Sequence, residues 1–223
     1  MPRTRSVCSI LAAFTAAVPV AGMVVAGCGG DGGGEASPAD LKPLLPPPSQ
    51  LGPLEVERAY EWDNAIDFIV LGTVLPEDTA PSEAGGKMDD AGFQAAAGER
   101  LIPKGGGAPV FVDAARFDSA EGATEAQSYL HQQDLQQPCA GACIVAPQEF
   151  TIDDIPGATA VHQVPTKGPV PPGQEPFEAY SVEFTDGSDL FYATASGDPG
   201  DIPPRAFERG AVAFYEYARD HAD

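Results

Sequence analysis

The spacing of apolar residues changes period several times along the chain, and each change marks an element. Ile66-Asp67-Phe68-Ile69-Val70-Leu71 is β-branched and aromatic, which predicts a strand ended by Pro76. Thr79 as cap and Pro81 in the first turn open a helix in which Ala84, Met88 and Ala91 recur at i, i+4 and i+7. Phe93 to Leu101 predicts a strand, the loop Pro103–Pro109 breaks the chain, and Val110 to Phe117 predicts another strand. Asp118 with Glu121 three residues on resembles a capping box. The helix it opens carries the stripe Ala123, Ala126, Tyr129 and Leu130 and ends before Pro138.

Beyond residue 145 the pattern turns to strands. Phe150-Thr151-Ile152 and Thr159-Ala160-Val161-His162 flank the turn Ile155-Pro156-Gly157. Asp186-Gly187 is a favoured two-residue hairpin turn. Centring there pairs Phe184 with Asp189, Val182 with Phe191 and Tyr180 with Ala193. Tyr180, Val182, Phe191 and Ala193 then share one face, and Ser181, Glu183, Tyr192 and Thr194 share a wetter one. A last helix follows Asp201-Ile202-Pro203-Pro204, with Phe207, Ala211, Phe214 and Ala218 on one side and Gly210 placed for close approach. Strands joined by short turns favour antiparallel pairing. The expectation is one α+β domain over residues 50–223, with helices packed on an antiparallel sheet. In outline it resembles several small actinobacterial lipoprotein and sensor domains, a likeness of architecture that carries no function.

The first 27 residues have a different pattern. Arg3 and Arg5 are the only charges, and an apolar run follows from Val7 to Phe14 and on to Gly27. That is the layout of an export signal. The competing reading, an uncleaved membrane helix, is weakened by Pro19 and by the Gly and Ala content. Val25-Ala26-Gly27-Cys28 resembles the lipobox of bacterial lipoproteins. The resemblance implies a diacylglyceryl group on the Cys28 sulfur and cleavage before that residue. The protein would then be held by lipid on the outer face of the cytoplasmic membrane. Gly29 to Pro38 cannot pack, Leu41 to Leu45 is a short apolar island, and Pro46-Pro47-Pro48 is stiff, so residues 28–49 are expected to be a tether.

Charge narrows the partners. Twelve basic residues against 33 acidic ones give a formal charge of −21, which argues against unassisted nucleic-acid binding. Among the four cysteines, Cys8 leaves with the signal and Cys28 takes the lipid. Cys139 and Cys143 are expected to form a disulfide in an oxidising compartment, worth about 2 kcal/mol for so small a loop. A zinc site would need two more ligands, with His131 the only one nearby. A redox pair usually has two residues between its cysteines.

No hydrolase elbow, H-E-x-x-H, phosphate loop or dinucleotide fingerprint is present. His131, His162 and His221 lack an adjacent nucleophile in sequence. Asp153-Asp154, Asp186 to Asp189 and Asp198 to Asp201 lack calcium-loop spacing, and their local turn and cap roles favour solvated carboxylates. No cofactor or metal is expected. The Pro-rich segment Pro165–Pro176 is a connector or a partner-binding loop. Trp62, beside Tyr60, is a core ring or a ligand platform, and the sheet face of Tyr192 is the other candidate binding surface. The function that fits is a non-catalytic domain binding a small molecule or an envelope protein. The alternative is an envelope hydrolase using scattered carboxylates or His162.

Overall fold

The computed structural model describes residues 36–72, 79–136, 145–165 and 177–222. The signal segment, Cys28, the Cys139–Cys143 pair and residues 166–176 of the Pro-rich loop lie outside them. The described residues form one α+β domain. Seven strands make a single antiparallel sheet: β1 (Leu54–Trp62), β2 (Phe93–Pro103), β3 (Val110–Phe117), β4 (Val145–Glu149), β5 (Thr159–Pro165), β6 (Glu178–Asp186) and β7 (Asp189–Gly197). Their order is β1-β2-β3-β7-β6-β5-β4. Both faces are covered. On one lie α1 (Pro38–Leu41), the 3-10 turn Lys42–Leu44, α2 (Pro48–Leu51) and α6 (Pro204–His221). On the other lie α3 (Ala65–Gly72), α4 (Pro81–Asp90) and α5 (Ala120–Gln136).

α6 follows its expected stripe, since Phe207, Ala211, Phe214 and Ala218 are all buried on the first face. Gly210 approaches the α2 carbonyl of Leu51 rather than a strand. The packed body begins well before residue 50. Leu41, Leu44 and Leu45 sit in the core, and Ser37 N–H donates to the Asp40 carboxylate to start α1.

Several local expectations are corrected. The run Ile66–Leu71 is not a strand but part of α3. The Asn64 side chain accepts from the Asp67 N–H at 2.9 Å, a helix cap. Ala65, Phe68 and Ile69 are buried while Ile66 and Val70 are exposed, a helical and not an alternating pattern. Secondly, the first strand is not Ile66–Leu71 but β1, which Tyr60 and Trp62 end. Thirdly, Phe150-Thr151-Ile152 follows β4 without being a strand. In α5 the cap is Ser119, whose hydroxyl accepts from Gly122 N–H at 3.1 Å, while Asp118 accepts from Gln94 instead.

The β6–β7 hairpin forms with its register moved by two residues. Asp186 pairs with Asp189, Phe184 with Phe191, Val182 with Ala193 and Tyr180 with Ala195, so the loop is Gly187-Ser188. Gly187 takes φ 58° there, a conformation that favours glycine. The observed register stacks Phe184 on Phe191 across the strands at 5.1 Å. It also sets Asp189 against Arg116, whose guanidinium gives it two hydrogen bonds of 2.7 Å. A shift of two keeps every side chain on its expected face. The face carrying Ser181, Glu183, Tyr192 and Thr194 is not wet, however. α5 lies over it, and all four are buried.

Candidate ligand site

β7 alternates small apolar with polar side chains: Phe191, Ala193 and Ala195 point to one face, Tyr192, Thr194 and Ser196 to the other. A cavity opens on each side of it. On the first face, the alanines of β7 are too small to reach the covering helix, and Gly210 and Ala211 of α6 leave it equally bare. The result is a cavity of about 330 Å³ between the sheet and α6. Val110, Val112, Phe207 and Phe214 complete its walls, with Leu51 of α2 at one side. Among the described residues, Asp201 is the one charged wall residue. Such a space desolvates an apolar ligand and holds few groups to orient a polar one.

On the second face, a cavity of about 400 Å³ lies between the C-terminal half of α5 and strands β5 to β7. Asp134, Gln163, Ser181, Tyr192 and Thr194 form its polar wall. Glu183 lies behind them, fully buried, with Oε2 accepting from the Thr159 hydroxyl at 2.7 Å. The Gln127 amide donates to the backbone carbonyl of Glu183 at 3.0 Å. Burial pushes Glu183 well above the ordinary carboxylate range, and the neighbouring Asp134 pushes it further. Asp134 is raised too, by burial, with hydrogen bonds to Glu183 and Ser181 and the nearby His131 opposing. Tyr192 is raised by burial and by the carboxyls around it.

The candidates named from sequence fall unevenly on these cavities. Tyr192 lines the second one while being 2% exposed. Trp62 is buried under α3, stacked on Tyr60 at 5.4 Å and edge-on to Phe68 at 5.6 Å, and it lines neither cavity. The His162 ring lies on Tyr180 at 3.9 Å and bonds Glu178 at 2.7 Å. Burial works to raise Glu178, but the Gly200 N–H, His162 and the Tyr180 hydroxyl together hold it below its ordinary value. Tyr180, buried and facing Glu178, is pushed up to about 12. Among the described residues no serine, threonine or cysteine bonds the His162 ring, so this trio lacks a nucleophile. His131 bonds Glu149 at 2.9 Å, and His221 stacks on Tyr217 at the end of α6. Asp189, expected to be solvated, is the buried partner of Arg116.

Asp113 and Asp134 were not singled out from sequence. Each is a lone acid in a stretch whose pattern fits a solvent-facing position, and only the packing of other elements buries it.

No family model matches the chain, and no curated protein does. Among solved structures, the extracellular domain of PknH from Mycobacterium tuberculosis is similar, with a TM-score of 0.53 and 13% identity, over 83% of this chain and 100% of that one. At that identity the likeness is one of fold. The expected actinobacterial outline is met at that level. Among the described residues no helix is long and apolar enough to cross a membrane.

Proposed function

We propose that the chain is an exported lipoprotein, anchored through Cys28, whose body is a non-catalytic binding domain for a small apolar molecule. The observation that carries the reading is the cavity of about 330 Å³ between α6 and β7, with its apolar wall and single charged residue. Its volume suits one ring system or a short acyl chain. The likeness in fold to an extracellular domain is consistent with display outside the cytoplasm. The anchor follows from the lipobox resemblance, and two acyl chains are enough to hold a protein on a membrane stably.

The test is a fluorescence titration with Nile red, an uncharged apolar dye, on the chain from Gly29 onward. Without Cys28 no acyl chain competes for the dye. Saturable one-to-one binding with a blue-shifted emission is expected. Ala195→Phe fills the cavity from β7 and should weaken binding by about a hundredfold, because the ring occupies the space the dye needs. Binding that does not saturate, or that is unchanged in Ala195→Phe, overturns the reading.

A further inference from the structure

We infer that Asp134 of α5 and Glu183 of β6 form a one-proton latch: while they share a proton the end of α5 is held on the sheet, and loss of that proton at higher pH releases it. The latch lies across β7 from the apolar cavity and does not rest on the function proposed above.

The inference begins with how α5 is seated. Up to Leu130 the helix buries an apolar stripe, Ala123, Ala126 and Leu130. Beyond Leu130 the residues it buries are Gln133 and Asp134, both polar. Polar contacts therefore hold the end of the helix. The Gln133 side chain accepts from the Thr79 hydroxyl at 3.2 Å, and His131 bonds Glu149 of β4 at 2.9 Å. The third contact is Asp134, hydrogen-bonded to Glu183 and Ser181.

That third contact depends on a proton. Asp134 is 3% exposed and Glu183 is 0% exposed, so the two carboxyls meet in a dry interface. An ionised carboxylate only accepts, so a hydrogen bond between two carboxyls exists only while one of them is protonated. Glu183 is held well above its ordinary value, by burial first and then by the charge of Asp134. It therefore carries the proton and donates it to Asp134, which the Ser181 hydroxyl also serves. The Thr159 hydroxyl, donating to Glu183 Oε2 at 2.7 Å, keeps the side chain in place. Once the proton leaves, the bond becomes a contact between two like charges with little water to screen them.

No neighbour compensates. Among the described residues no Lys or Arg lines the cavity that Asp134 borders. His131 of α5 stands 4.0 Å from Glu183, with its other ring nitrogen turned to Glu149 of β4. From the sheet, Tyr192 of β7 and Asp113 of β3 face the pair, both acids. His162 of β5 lies on the opposite face, stacked on Tyr180. Asp198 stands in the cavity wall as a further carboxylate. The repulsion is relieved by movement, and the segment free to move is the end of α5 that lacks an apolar anchor. Its departure opens the cavity of about 400 Å³ that Asp134 helps to wall.

The sign follows from the proton. The closed state holds it more tightly than the open state, in which Glu183 returns toward its ordinary value of 4.5. Closure is therefore complete at acidic pH and is lost as pH rises through the titration of the pair, above that value.

Hydrogen–deuterium exchange on the chain from Gly29 onward, from pH 4 to pH 8 and corrected for intrinsic amide exchange, tests this. Protection of residues 131–136 is expected to fall at least about tenfold across that range, while residues 123–130 keep theirs. Glu183→Gln replaces the shared proton with an amide that cannot lose it, and should keep residues 131–136 protected throughout. Asp134→Asn puts an amide donor on the other partner; it should remove the step as well, and serves if Glu183→Gln does not fold. Asp113→Asn should leave the step in place, which separates the latch from the neighbouring buried acid. No step in the wild type, a loss spread evenly along α5, a step kept in a folded Glu183→Gln or Asp134→Asn, or a step removed by Asp113→Asn overturns the inference.

Discussion

Asp113 stands on β3 with Gly98 of β2 on one side and Tyr192 of β7 on the other. It is 1% exposed, and Oδ2 has no hydrogen-bond partner. Position 98 must be glycine, since a Cβ there would collide with the Asp113 carboxylate and lie 2.9 Å from the Trp62 ring. Burial pushes Asp113 well above its ordinary value of 3.8. The folded chain therefore keeps this proton to higher pH than the unfolded chain does. Between the two values the folded state binds more protons, and unfolding free energy falls as pH rises. Asp113→Asn removes that loss. The variant should match the wild type near pH 3 and gain on it above pH 4, reaching about 1–3 kcal/mol at pH 7. Urea unfolding at pH 3, 5 and 7 checks this; a constant difference across that range would contradict it. Nothing in Val110-Phe111-Val112-Asp113 tells a buried acid from a solvated one. The burial comes from partners distant in sequence, and single-residue chemistry of this kind was not legible.

Elements were legible where their signals are local. The β6–β7 hairpin follows from its turn and alternation, α6 from a stripe of four apolar residues, and α4 and α5 from their spacing, although neither expected cap is used: Ala80 takes the cap position of α4 while Thr79 bonds Gln133, and Ser119 replaces Asp118 in α5. α3 escaped because a short apolar run serves a strand or a helix equally well, and the deciding residue, Asn64, lies outside the run. β1 escaped for the opposite reason. It is an edge strand, mostly exposed, with Glu57 paired to Arg100 and Glu61 to Lys42, and its charges hide its period while guarding the open edge. The cap on α3 makes a prediction. Asn64→Ala removes the acceptor for Asp67 N–H and should cost about 1 kcal/mol in urea unfolding, restored in Asn64→Asp. An unchanged midpoint would mean that tertiary contacts alone hold α3.

At the scale of the molecule, the α+β architecture was legible and the start of the body was not. The island Leu41–Leu45 is too short to read as core, yet it packs under α6. For the anchor proposed at Cys28, residues 28–35 are what is left to link it to the body, and eight residues span at most about 30 Å. We expect Cys28→Ala to lose incorporation of a labelled fatty acid and to leave the membrane fraction, measured by fractionation of labelled cells. An unlabelled wild type would refute the anchor. The strand β7 carries a further consequence. Its odd-numbered side chains shape an apolar space and its even-numbered ones a polar space, so the strand works as a two-sided template one residue thick. A residue added to the Gly187-Ser188 loop is taken up there and leaves both faces as they are; one inserted within β7 itself exchanges the two chemistries for every residue beyond it unless a bulge absorbs it. Through evolution or design, the loop is thus free to vary in length while the strand is not.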